Sequence, residues 1–382
     1  MMSQRSSPLE VWKVCRSLLS RIFFFHYLCS SPSTSYVNGF RVASWNLLAP
    51  LYALPAKYPW CPPEHLDWGH RKSLIVQQLL SFQADILCLQ EVQVDLFPDL
   101  QQSLRPFYGT GILQNVTGHH PVGCAIFLRH GDSTVNNPDQ LLEVVRVESR
   151  SRALIVVLRK KLAATVRGEI DGDSANSLLY LCNVHLEAGM FHDDNLQRYH
   201  QLRSLFKRLK YHCNLDKMPF CHAPIVMAGD FNMLHNNPLH TFLSQGLLEP
   251  PDKEASSIKK RPGKKGRKLV LPKITTKLRD AYLAVKSPVL ATSTSLSLRG
   301  EGDSRSSMFE AEPQCRAQIP QRLEMTYSSG CVLDYIWASE SINIHDTLLL
   351  HPQAATKESQ KWPSKDHPSD HLPIGVDLDW SP

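Results

Sequence analysis

No two of the ten cysteines in this 382-residue chain stand in CxxC spacing. That absence removes the redox-motif reading and most zinc-finger readings. Cys213, Cys221 and His222 come nearest to a ligand cluster, but their spacing fits no common zinc pattern. Other cysteines sit inside apolar runs, Cys88 in "DILCLQ", Cys124 in "GCAIF" and Cys182 in "LYLCNV". There they read as small, reduced core residues. No apolar run reaches the ~18–20 residues that cross a bilayer, so no membrane span is expected. A broad basic surface is missing too, although the net charge is +6. Residues 251–270, "PDKEASSIKKRPGKKGRKLV", hold eight Lys or Arg against two acids, and residues 1–40 hold four bases against one acid. The rest of the chain is therefore slightly acidic, which excludes a body built as a basic nucleic-acid clamp. The basic loop alone could meet a phosphate backbone, act as a nuclear-import patch, or be a solvated surface.

What is present is an ordinary globular composition, 42% hydrophobic, in a chain long enough for one large or two ordinary domains. Residues 1–38 are rich in Ser, basic and nearly free of acids. They read as a disordered tail or a targeting segment, an organellar transit peptide before a secretory signal. A mitochondrion or plastid is the compartment on the transit reading, cytoplasm or nucleus otherwise. From Phe40 onward short β-branched runs recur: "FRVASWNLL", "ADILCLQEV", "VGCAIFLRH", "RALIVVLRKK", "LLYLCNVHL", "APIVMAGDF", "VLDYIWAS" and "LPIGVDLDW". These have strand length and strand composition. Helical stripes lie between some of them: Leu74, Ile75, Gln78 and Leu79 in one, and Leu196, Tyr199, Leu202, Leu205 or Phe206 and Leu209 in another. Many strands covered by a few helices predict an α/β two-sheet sandwich. Two polar segments, about 251–270 and 286–322, read as inserts within one domain spanning 39–382.

The informative feature is how the strands end. "VASWN" runs into Asn46, "ILCLQE" into Glu91, "LYLCNVH" into His185, and "IVMAGDFN" into Asp230 and Asn232. "VLD" delivers Asp334, while "PSDHLPI" starts from Asp370 and His371. Burying acids at strand ends is costly unless they are paired or bind a cation. Singly, each has an ordinary explanation, such as a strand cap or an Asx turn. Together they predict a site of hard oxygen ligands suited to Mg²⁺ or Mn²⁺.

"SWNLLAP", "LQEV", "GCAIF", "NVHL", "GDFN", "LDYIW" and "PSDHLPI", in that order, resemble the endonuclease/exonuclease/phosphatase superfamily. The spacer "YPWCPPEHLDWGHRKSLI", with "LRDAYLAV" and "MTYSSG", narrows the resemblance to the branch of carbon-catabolite-repressor deadenylases, nocturnin and Angel proteins. Apurinic endonucleases and sphingomyelinases share the core motifs but lack that spacer. The resemblance implies a DNase I-like, four-layer α/β/β/α fold and metal-dependent hydrolysis of a phosphate ester by water. By the matched motifs, Glu91 is the principal metal ligand, with Asp370 and Asn46 beside it. Asp230 is expected to activate the water. His185 and His371 are expected to meet the phosphate, Asn232 to help fix water and phosphate, and Asp334 to hold the His371 imidazole.

Arg198 and Gln201 match nocturnin-like substrate-binding positions. Deadenylases of this branch grip adenine between a Pro and a Phe, and those places fall here near Met190 and Ser329. Tyr58, Trp60 and Phe191 are further aromatics that either stack on a base or simply pack. The expected partner is RNA or a nucleotide substrate, met by a monomer. Docking on a deadenylase scaffold through a leucine-rich repeat is not expected. The leading activity is a 3′–5′ exoribonuclease. Alternatives are a phosphatase or phosphodiesterase for a 2′-phosphate dinucleotide, 2′–5′ oligoadenylate or a cyclic phosphate end, and a non-catalytic RNA-binding relative.

Overall fold

The computed structural model describes residues 39–116, 121–130, 142–160, 178–246, 276–284, 325–349 and 361–380. The N-terminal segment and both expected inserts lie outside the described residues.

Among the described residues, twelve strands form two six-stranded sheets. In the first, the order is β11 (Asn343–Leu349), β12 (Ile374–Asp379), β1 (Phe40–Asn46), β2 (Ile86–Gln93), β4 (Val122–Leu128) and β3 (Ile112–Leu113). In the second, the order is β5 (Leu142–Arg150), β6 (Ala153–Lys160), β7 (Leu178–His185), β8 (Ile225–Asp230), β10 (Asp334–Ser339) and β9 (Leu278–Asp280). Only β1–β2 and β7–β8 are parallel pairs, one near the middle of each sheet. All eight strands anticipated from the sequence are present.

Strand alternation explains the layering. Val42, Ile86, Cys88 and Ile126 point into the space between the sheets, against Ile155, Val226 and Ile336. Ala43, Trp45, Leu87, Leu89 and Phe127 point the other way. They pack under helices α2 (Trp68–Ser81) and α3 (Phe97–Leu104), which follow the one-turn helix α1 (Pro63–Leu66). The outer face of the second sheet is covered by α4 (His192–Leu215) and α5 (Pro238–Gln245) through Tyr199, Leu202, Leu205, Leu209 and Phe242. A final one-turn helix, α6 (Ala281–Ala284), follows β9. The result is the four-layer α/β/β/α sandwich.

One stripe differs from expectation. On α2 the buried face is Arg71, Ile75 and Leu79, while Leu74 and Gln78 are half-buried. A charged residue thus occupies the place that hydrophobic periodicity assigned to apolar side chains. The sandwich interior is also not wholly apolar. Gln90 donates to Ser44 Oγ (3.1 Å) and to Asn183 Oδ1 (2.8 Å), and Asn183 donates to the Leu89 and Ala125 carbonyls (2.9 Å each). This buried amide network joins the two sheets directly beneath the polar strand ends.

Candidate active site

Three residues of the site stand side by side by strand register alone. Asp230 is the Cα partner of His185 across β7–β8 and of Asp334 across β8–β10. Side chains at paired positions emerge on the same face, so an imidazole and two carboxyls project together toward the first sheet. Gly229 permits the close spacing, since a Cβ there would fall 1.9 Å from the Val184 carbonyl oxygen. Its φ of 146° also suits glycine alone.

The first sheet reaches the same place by irregular backbone. On β1, Asn46 ends the inward-facing series Val42, Ser44, Asn46. On β2 a bulge sets Gln90 and Glu91 against the single residue Cys124, and Glu91 takes φ 56°. A strict alternation would send Glu91 to the outer face. The bulge returns it to the inner one, beside Gln90. A left-handed non-glycine residue is strained, and such strain concentrates at functional sites. Leu48 (φ 57°) and Asn232 (φ 50°) share the feature.

The polar side chains then interlock. Asn46 Nδ2 donates to Asp230 Oδ2 (3.1 Å) and to Glu91 Oε1 (3.3 Å), bridging the sheets. Glu91 Oε2 accepts from the Ala49 amide (3.0 Å). Asp230 Oδ1 accepts from the Asn232 amide (2.8 Å). His371 Nδ1 meets Asp334 Oδ2 at 2.9 Å, and its Nε2 lies 3.7 Å from Asp230 Oδ2. From the other side, His185 Nε2 lies 3.7 Å from the same oxygen and 3.9 Å from Glu91 Oε1. Asp370 is fixed by the Tyr58 hydroxyl (2.7 Å).

Burial tunes these groups in opposite directions. It raises Asp230 to about 6, with the Asp334 charge adding to the rise and His371 opposing it. Burial and the charge of Asp370 both raise Glu91. Burial lowers His185, which is therefore neutral at pH 7. Burial also pulls His371 down, but Asp334 and Asp230 outweigh it and hold His371 well above its ordinary value. The imidazolium keeps one N–H on Asp334 and aims the other toward Asp230.

Asp370, buried, and Glu91, partly buried, thus stand near enough for the Asp370 charge to raise the Glu91 carboxyl. Their oxygens, with the Asn46 carboxamide adjoining, are the donor set that a hard divalent cation takes. The residues present fit such an ion.

Sequence reasoning missed several supports. Arg71, wholly buried, donates to the Pro368 carbonyl (2.7 Å), the Leu47 carbonyl (2.6 Å) and the Leu48 carbonyl. Burial lowers its pKa to about 10, partly offset by the charges of Asp370 and Glu91. Ser369 donates to the Asn46 carbonyl (2.6 Å) and accepts from the His371 amide (3.1 Å). The indole of Trp45 donates to the His371 carbonyl (2.8 Å). The only sequence signal for Arg71 was its place on the apolar stripe of α2.

The expected substrate positions are less central. Arg198 is 1% exposed and donates to the Glu187 carbonyl (2.6 Å), the Gly189 carbonyl (2.9 Å) and Asn195 Oδ1 (2.7 Å). Gln201 Oε1 accepts from the Glu187 amide (3.0 Å). Both brace the loop after β7. Asn232 gives its side-chain amide to the Leu186 carbonyl (3.0 Å). Of the aromatics, Tyr58 is buried, whereas Trp60 and Phe191 are exposed, as is Met190 at 66%. Ser329 Oγ lies 3.2 Å from Cys331 Sγ in the turn before β10.

Among curated proteins, the chain is 26% identical over 253 residues to the CCR4-Not complex 3′-5′-exoribonuclease subunit Ccr4 of Schizosaccharomyces pombe, covering 57% of this chain and 36% of that one. It is 31% identical over 235 residues to Nocturnin of Drosophila melanogaster, covering 58% and 33%. The matched parts thus span about a third of these relatives. Among solved structures, ANGEL2, a 2′,3′-cyclic phosphatase in complex with adenosine-2′,3′-vanadate, shares the fold. Its TM-score is 0.57 at 22% identity, over 90% of this chain and 96% of that one. Residues 43–371 match the family model described as Endonuclease/Exonuclease/phosphatase family, so most of the chain is covered and the protein belongs to that family.

Proposed function

We propose that the chain is a Mg²⁺-dependent hydrolase of phosphodiesters in RNA, releasing nucleotides from a 3′ end as a deadenylase does. The observation that carries this reading is the linked array of Asp334, His371 and Asp230 set against Glu91. Glu91, Asp370 and Asn46 would hold the Mg²⁺ (or Mn²⁺), which when bound neutralises phosphate charge and eases departure of the leaving oxygen. Asp230, with a pKa near 6, is ionised at pH 7 yet basic enough to take a proton from the attacking water. The water oxygen bonds to phosphorus, the water proton passes to Asp230, the bond from phosphorus to the ribose oxygen breaks, and that oxygen takes up a proton from solvent. His371, charged and oriented by Asp334, and neutral His185 donate to the phosphate oxygens as their charge grows. Arg198 and Gln201 act through the 187–189 loop, setting where it meets substrate.

A second reading, a phosphatase for a cyclic or 2′-phosphate end, draws on one observation. The two places that grip adenine in deadenylases fall near Met190 and Ser329, neither of which stacks as a Pro–Phe pair does.

Incubating the purified chain and Mg²⁺ with poly(A), mixed RNA, 2′–5′ oligoadenylate, NADPH and RNA ending in a 2′,3′-cyclic phosphate separates these readings. Nucleotide monophosphates released stepwise from the 3′ end of poly(A) support the first. Turnover confined to the cyclic end or to NADPH supports the second. No turnover of any substrate with Mg²⁺ or Mn²⁺ leaves only the RNA-binding relative.

A further inference from the structure

On the opposite face of β10 from Asp334, three metal-ligating side chains converge. His235 stands in the turn between β8 and α5, His240 in the first turn of α5, and Asp280 at the end of β9. His240 Nε2 lies 3.2 Å from Asp280 Oδ2 and 3.4 Å from His235 Nδ1, while His235 Nδ1 lies 3.9 Å from Asp280 Oδ2. We propose that these three side chains form a second metal site, for a Zn²⁺-class ion, which no part of the hydrolytic reaction requires.

The spacing and the donor types together suit a four-coordinate ion. Around a tetrahedral zinc with ligand bonds of about 2.0–2.2 Å, neighbouring donor atoms stand about 3.3–3.5 Å apart. Right-angled ligands of an octahedral ion at similar bond lengths would stand about 3.0 Å apart. Two of the observed separations lie at the tetrahedral spacing within 0.2 Å. The third closes with a shift of about half an ångström in His235, the most exposed of the three at 32%. Two imidazoles and one carboxylate also favour zinc over Mg²⁺, which takes oxygen donors.

The three ligand atoms already lie within 3.9 Å of one another, so a cation placed between them would meet all three. Asp280 is buried, and its other oxygen accepts from the Tyr282 amide (3.1 Å), so Oδ2 is held toward the histidines. Aromatic walls restrict both rings, since Trp337 lies 4.7 Å from the His240 ring and Tyr335 5.3 Å from the His235 ring. Such outer support is what sets ligand orientation at metal centres.

The ion would tie residues 231–237, which include Asn232, to β9. Its fourth position would face solvent beside His235 and take a water.

The test uses the full chain, stripped with chelator and titrated with Zn²⁺, and with Co²⁺ as a coloured substitute. One equivalent of Zn²⁺ should survive desalting, and Co²⁺ should give the strong visible bands of a four-coordinate ion. His235→Gln and Asp280→Asn should each weaken binding at least about tenfold. Both must first match the parent's melting curve in chelator, and His240→Gln replaces either one that does not. Glu91→Gln should leave the cobalt spectrum intact. A spectrum that survives His235→Gln and Asp280→Asn, one that vanishes in Glu91→Gln, or a parent protein that retains no zinc overturns the proposal.

Discussion

The two sheets bring their side chains to the site in opposite ways. The second sheet does it with straight strands: His185, Asp230 and Asp334 are neighbours because β7, β8 and β10 are in register. The first sheet does it with bent backbone. Glu91 sits on a bulge at φ 56°, and Asp370 and His371 lie on the segment entering β12. The straight half holds Asp230, assigned to proton transfer, while the bent half holds Glu91 and Asp370, assigned to the cation, together with His371, assigned to the phosphate. Register fixes a side chain to a fraction of an ångström at no cost in strain, which proton transfer needs. A bulge lets carboxylates approach one another, which a cation rewards and its absence penalises.

The largest effects are expected from Asp230→Asn on the straight half and His371→Ala on the bent half. Each should lower turnover at least about a thousandfold with fold intact, measured by steady-state kinetics and circular dichroism. Asp230→Asn carries a further signature. The folded-state pKa of Asp230 is raised, from 3.8 to about 6, so the folded state binds its proton more tightly than the unfolded one. Stability is therefore lost as pH rises through that window, by roughly 1–3 kcal/mol. The variant should melt higher than the parent at pH 7 without metal and equally near pH 4. Equal melting at both would remove the case for a costly buried charge.

Breaking the bent half with Glu91→Gln should act through the cation instead. The Mg²⁺ concentration for half-maximal activity should rise at least about tenfold, with partial recovery at high Mg²⁺ or Mn²⁺. Because the Glu91 carboxyl is raised, protons and metal compete. Apparent Mg²⁺ affinity should fall with acid by up to about tenfold per pH unit below the raised pKa. An activity loss insensitive to Mg²⁺ would sink this division of labour.

Asp334→Asn tests a subtler link. Turnover should drop about a hundredfold. The Asp334 charge is what holds His371 protonated, so the variant's imidazole should lose its proton at lower pH. The alkaline limb of the pH–rate profile should then move toward acid, and an unmoved limb would count against it. The smallest effect concerns the amide network that joins the halves. Asn183→Leu removes one of the acceptors of the Gln90 amide and the donor to two carbonyls, and should cost about 2–3 kcal/mol in a denaturant melt.

What was legible in the sequence follows the same division. The eight strands read from the chain are those with buried faces. The four unread ones, β3, β5, β9 and β11, are the four sheet edges. β5 shows why, since "LEVVRVESR" is largely exposed and mixes charge with apolar residues, as edge strands do. At the site, Asn46, His185, Asp230 and Asp334 announced themselves as polar ends of apolar runs. Arg71, Gln90 and Asn183 did not, because a buried polar residue on a helix or in mid-strand looks the same in sequence whether it meets water or a partner from another sheet. Tyr58 was visible only as an aromatic, and its hydroxyl bond to Asp370 spans 312 positions.

The ties among Arg71, Trp45, Ser369 and the segment entering β12 have a consequence for synthesis. Strand β1 is among the first parts of the domain to leave the ribosome, yet it gains its antiparallel neighbour β12 only when residues 374–379 have been made. Contacts of such long sequence separation are the slow ones in folding. A chain halted before residue 370 would lack both the His371 imidazole that meets Asp334 and the Asp370 carboxylate that meets Tyr58. The candidate site is thereby incomplete in every copy halted before these residues.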